Sequence, residues 1–110
     1  MAFALGGCGV TLRTQPPRAP ESACFLTEIR GELKADVVWG LGLLNRGSFT
    51  GVVWPHGYAA KRDGAGVVVL LDRDGQILAR EGETVVLAGV HGDDGVTYPC
   101  DPPDLRVITP

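Results

Sequence analysis

With 110 residues, 45% of them hydrophobic and 21% charged, the chain has room for one small domain and is too apolar for intrinsic disorder. Sixteen glycines and eight prolines interrupt it too often for long helices. Residues 1–20 carry Arg13 and Arg18 but no acid, so the net charge of −3 conceals an acidic body. Such a body is a poor match for a phosphate backbone and argues against nucleic acid, and no apolar run approaches the roughly 18 residues that span a bilayer.

The first element in chain order is "ALGGCGV", which places Cys8 behind small residues. The tetrapeptide Leu5-Gly6-Gly7-Cys8 resembles the lipobox of bacterial lipoproteins, in which the cysteine is acylated and anchors the mature protein. It departs from that pattern in its lead: "MAFALGG" has no positively charged n-region and a short apolar stretch, so as written it would not direct export, and an upstream start would have to supply the rest. A soluble exported protein and a cytoplasmic one with incidental thiols are the alternatives.

Residues 11–21, "TLRTQPPRAPE", favour extended polyproline-like backbone. They read as a spacer, which makes residues 1–22 a lipobox-like start with a Pro-rich tether and residues 23–110 the folded domain.

From Cys24 onward, short aliphatic and β-branched runs alternate with turn signals at roughly ten-residue intervals, the rhythm of an all-β fold. Strands are expected near Phe25–Lys34, Trp39–Leu44, Thr50–Trp54, Gly66–Asp72, Gln76–Arg80, Thr84–Ala88, Val96–Cys100 and Leu105–Thr109. "FLTEIRGELKAD" also fits helical spacing through Leu26, Ile29 and Leu33; the alternation Ile29, Gly31, Leu33, Ala35 favours a strand, with Gly31 as a bend that lets one strand serve two edges of a barrel. Asp74-Gly75 predicts a tight two-residue hairpin turn, and Glu81-Gly82 a second, giving a three-stranded meander over residues 66–88. Val67–Leu71 is apolar throughout, so both of its faces should be covered. A small closed or partly open OB-like β-barrel satisfies this, as does a small β-sandwich.

Cys24 and Cys100 bracket the domain. A bond between them would close a loop of about 76 residues and stabilise by roughly 4–5 kcal/mol on the chain-entropy model; two buried free thiols are the alternative. The pairing leaves Cys8 over for the lipobox.

Trp54-Pro55, Gly57-Tyr58, Asp72 with Asp74-Gly75, Ala79-Arg80-Glu81-Gly82, Gly89 and Cys100 resemble the core of small bacterial exported proteins and lipoproteins, particularly from high-GC actinobacterial genomes. That resemblance covers about residues 25–108. It implies a compact β-barrel of OB-like or related topology and brings no activity and no catalytic residue.

Enzymatic signatures are absent: neither His56 nor His91 has an H-x-x-x-H or C-x-x-C companion, and no serine lies in G-x-S-x-G. His91, Asp93 and Asp94 in "HGDDG" are candidate metal ligands, although Gly-Asp-Asp-Gly is also an ordinary turn and the EF-hand spacing is not met. In "VVWPHGY", Trp54, His56 and Tyr58 alternate at period two and would form an amphipathic platform with Trp39 nearby if the segment stays extended. Small β-barrels bind glycans or peptides on such a face; the alternative is that Trp54 plugs the barrel. The expectation is a cell-envelope binding module with no cofactor and no catalysis, whose partner is an envelope protein, peptide or glycan. A metal-binding protein or a structural accessory subunit stands as the alternative, and the oligomeric state is open.

Overall fold

Ten strands and no helix occupy residues 9–17 and 27–108, the residues that the computed structural model describes. In chain order they are β1 Gly9–Val10, β2 Thr27–Asp36, β3 Gly40–Asn45, β4 Ser48–Gly51, β5 Ala59–Arg62, β6 Val68–Leu71, β7 Ile77–Arg80, β8 Thr84–His91, β9 Thr97–Pro99 and β10 Arg106–Ile108. One antiparallel sheet runs β9-β8-β2-β3-β4, with β10 also on β8; the other runs β1-β5-β6-β7. The fold is all-β, as expected.

The alternation in β2 decides its conformation. Ile29, Gly31 and Leu33 are buried while Glu28, Arg30, Glu32 and Lys34 are exposed, the period-two pattern of a strand and not the helical alternative. β2 pairs with β8 through residues 27–32 and with β3 through residues 32–36. It therefore serves two neighbours on opposite edges, changing partner beside Gly31. A Cβ at Gly31 would lie 2.9 Å from Leu43 Cβ, so the two backbones approach as closely as they do only because no side chain stands there.

The expected closed barrel does not form as a ladder. The chain after β4 meets β9 through one parallel bridge, Val52 to Thr97, with Val53 N–H donating to Thr97 O at 3.0 Å. The 66–88 meander is also corrected: β6 and β7 form a hairpin, but β8 belongs to the other sheet. The intervening turn is captured by β2, since Gly82 N–H donates to Leu33 O and Leu33 N–H to Glu83 O. These bonds carry the chain across from one sheet to the other. Val68, Val69 and Leu70 are fully buried, so the apolar run is covered on both faces.

Residues 9–17 are not a spacer. β1 pairs with Ala60 and Lys61, Thr14 bridges Trp54 in parallel, and Leu12 packs on the core. Gln15 is 7% exposed and donates through Nε2 to both Val53 O and Pro99 O at 3.0 Å. A polar side chain goes inside only when its hydrogen bonds are met there. This segment joins β5 of one sheet to the Trp54 strand that leads out of the other.

The Asp74-Gly75 hairpin is longer than a two-residue turn. Asp72 pairs with Gln76 across a three-residue loop in which only Gly75 has positive φ, at 83°. The geometry recurs at Asp63–Val67 and Gly92–Val96, with Gly66 and Gly95 in the equivalent position. A type I turn closed by a left-handed residue is the favoured three-residue hairpin loop, and glycine takes that conformation without penalty.

Asp63 Oδ1 accepts Ala65 N–H and Val67 N–H, and Asp63 also pairs with Arg80. The Val67 amide above all, then Ala65 and Arg80, hold the Asp63 carboxyl below its ordinary value of 3.8. A depressed carboxylate stabilises the fold fully above its unfolded pKa and loses that contribution as pH falls through the folded value. Thermal melts from pH 5 to pH 2 are therefore expected to show a shallower acid decline in Asp63→Asn than in the native chain.

Candidate contact surface at the β2–β3 hairpin

The loop between β2 and β3 contains only Val37, Val38 and Trp39, flanked by the Asp36–Gly40 pair. Asp36 Oδ2 accepts the amides of Val38 at 2.8 Å and Trp39 at 3.0 Å, an Asx arrangement that fixes the turn from inside. Gly40 has φ 76° and lies against the Thr11 carbonyl, where a Cβ would overlap backbone. Arg13 Nε donates to Val38 O at 3.1 Å, and its guanidinium sits 5.1 Å from the centre of the Trp39 ring. That is cation–π range.

Trp39 also lies against Gly51, and Phe49 lies over Gly42. Both rings rest on parts of the sheet that carry no side chain. Trp39 thus lies against both Arg13 and Gly51. Val37 is 102% exposed and Val38 55%. Lys34 stands in register with Gly42, which puts a second cation on the face that Phe49 covers. Glu32 and Asp36 flank Lys34 on the same face of β2, and Asp36 Oδ2 accepts the loop amides. The loop thus presents exposed apolar side chains on a backbone held by polar bonds.

The expected aromatic platform does not assemble. Trp54 is fully buried with Nε1–H donating to Leu41 O at 3.0 Å, so it plugs the core. Tyr58 N–H donates to Pro55 O, and Gly57 has φ 84°: a turn replaces the extended segment, and the period-two argument fails with it. His56 is exposed, its carbonyl accepting Arg73 Nε–H. Tyr58 is 9% exposed, and burial first, then Asp101, raises its hydroxyl above the ordinary 10.0. Of the four expected platform residues, only Trp39 belongs to the surface described above.

Among the described residues, no three His, Cys, Asp or Glu side chains converge to hold a metal ion. His91 Nδ1 is 3.1 Å from Thr97 Oγ1; Asp94 accepts the Tyr98 hydroxyl at 2.7 Å and the Val96 amide. Those bonds, Tyr98 foremost, depress the Asp94 carboxyl, and Asp94 in turn raises the Tyr98 hydroxyl. Asp93 is exposed. The segment is a hairpin turn braced by an Asp–Tyr bond. Cys100 is buried at the end of β9, its amide donating to Ala88 O; Cys8 and Cys24 lie outside the described residues.

A hollow of about 260 Å³ opens where Asn45, Thr50, His91 and Thr97 surround Ile29 and Leu43. Its polar groups are partly spent within the fold, Asn45 on the Arg30 carbonyl and Thr97 with His91. Arg13, Val37, Val38 and Phe49 were not singled out by sequence reasoning. The available signal was "DVVWG", three apolar residues between an Asx-turn former and a glycine, which reads as an apolar loop rather than a strand start. A scan against protein-family models, a search of curated proteins and a search of solved structures each found no match.

Proposed function

We propose that this protein is a non-catalytic interaction module of the bacterial cell envelope that makes contact through the Val37-Val38-Trp39 tip. The observation that carries the reading is the complete exposure of Val37 on a loop whose backbone is bonded to Asp36 and Arg13. Leaving apolar side chains in water forfeits burial energy, and here rigid bonding prevents their collapse onto the sheet. An OB-like barrel is part of the same reading. Its support is the neighbour order β2-β3-β4, then β9, β8 and back to β2, joined at the one parallel bridge, with β5–β7 as an insertion. In OB-folds the loop between the first two strands borders the ligand face.

Export and lipidation at Cys8 complete the proposal. Because Gly9 already pairs with Lys61, an anchor there would seat the domain directly on the membrane without a tether. A Cys24–Cys100 bond is supported by register: Thr27 and Pro99 both stand opposite Gly89, on either side of β8, and the three-residue approach from Cys24 to Thr27 can span that gap.

A photo-crosslinking residue at position 37, compared with one in the exposed loop at position 64, tests the contact in cells expressing the protein from its own locus. Adducts at 37 and not at 64 are expected; equal labelling, or none at 37, would overturn the reading. Intact mass of the same material, with and without reductant, reports acylation and the disulfide.

A further inference from the structure

We infer that the partner of this tip is a lipid bilayer surface, with Val37 and Val38 entering the acyl boundary and Arg13 and Lys34 facing lipid phosphates. The inference rests on the contact reading above and names its partner.

Three observations choose a membrane over a protein. The first is size: the apolar element is a hairpin loop of three residues, whereas a stable protein interface takes about 20–30 residues a side. No pocket among the described residues is lined by Val37, Val38 or Trp39 to take a small ligand.

The second is the chemistry gathered at the tip. Val37 is fully exposed and Val38 about half exposed, Trp39 follows them in the loop, and the Arg13 guanidinium lies over its ring. A bilayer offers an acyl region, a headgroup boundary and phosphates to those three chemistries, and tryptophan is enriched at that boundary.

The third is charge. Arg13 and Lys34 have no ion-pair partner among the described residues, and Asp36 is occupied by two loop amides. Neither cation is tied up in an ion pair, so both can face anionic headgroups. Chain length agrees: Cys8 precedes Arg13 by five residues, at most about 17 Å of extended chain, so an acyl anchor and this tip can reach one leaflet. A lipid chain and a protein contact together are the usual requirement for stable attachment.

The two tryptophans make the test direct. Trp54 is fully buried and its emission serves as a constant background; Trp39 reports the tip. The full, unacylated chain is mixed with phosphatidylcholine vesicles containing about 30% phosphatidylglycerol, and with phosphatidylcholine alone. A blue shift with the anionic vesicles is expected, quenched by brominated lipid and weakened by high salt. V37D/V38D, which changes two exposed side chains and leaves the loop's backbone bonds in place, should fold normally and partition at least about tenfold more weakly. K34Q should lose part of the salt dependence. No partitioning of the native chain into either vesicle, or partitioning unchanged in V37D/V38D, would overturn the inference. Protein adducts at position 37 with silent vesicles would sink the lipid assignment while leaving the contact reading standing; no adduct of any kind would sink both.

Discussion

Replacing Trp54 with alanine is expected to remove about 3–5 kcal/mol of stability, the range for deleting a large buried aromatic. Trp54 is fully buried among Leu33, Leu41, Val52, Val68 and Val85, and its Nε1–H is bonded to Leu41 O. The alanine variant loses the ring's burial, opens a cavity and leaves that carbonyl without its donor. Domains of this size have roughly 5–15 kcal/mol in total, so the melting temperature should fall by about 15–30 °C or the fold should fail. Trp54→Phe keeps most of the bulk and should lose only about 1–2 kcal/mol, chiefly for the orphaned carbonyl. Thermal melts followed by circular dichroism separate the two variants. A loss below about 1 kcal/mol in Trp54→Ala would mean that the side chain is not the centre of the core, and would reopen its role as a ligand platform.

Gln15→Ala should destabilise by about 2–4 kcal/mol, although Gln15 lies in a stretch whose composition reads as a linker. Its Nε2 group donates to Val53 O and Pro99 O, and its own amide donates to Trp54 O at 2.8 Å. The side chain thus ties the N-terminal segment to the strand after β4 and to the end of β9. Truncation leaves two carbonyls unpaired at a site with little access to water. Pro17, two residues on, is exposed, and Pro17→Ala should lie within about 0.5 kcal/mol of the native protein. Chemical denaturation of both variants is the measurement. Equal stability of Gln15→Ala and Pro17→Ala would restore the spacer reading and contradict the strap.

The N-terminal strap was invisible in the sequence for a physical reason. Three prolines in five positions exclude a long ladder, but the strap needs only two paired residues, one bridge and a side-chain clamp, all placed before Pro16. The strap precedes the prolines, so they do not prevent it. Where burial has a period, as in β2, or a run is apolar on both faces, as in Val67–Leu71, the local pattern was enough. The fate of the Glu81-Gly82 turn was not local, because the groups that capture it belong to Leu33, some fifty positions earlier in the chain. β5, "AAKR", carries too little apolar character to announce a strand. The candidate site was legible only in Trp39: Val37 and Val38 looked like the lead into a strand, and Arg13 sat in the supposed tether. The platform failed at Gly57, whose positive φ turns the chain, and the metal cluster failed at Asp94, whose partner proved to be Tyr98 across a hairpin.

The proposal depends on the tip being held out rather than waving freely, and backbone ¹⁵N order parameters at Val37, Val38 and Trp39 test that most directly. With two loop amides bonded to Asp36 and the Val38 carbonyl bonded to Arg13, values near 0.85 are expected, as for rigid backbone in β3. Values below about 0.6 would describe a mobile loop, and a fixed apolar contact at Val37 would be contradicted.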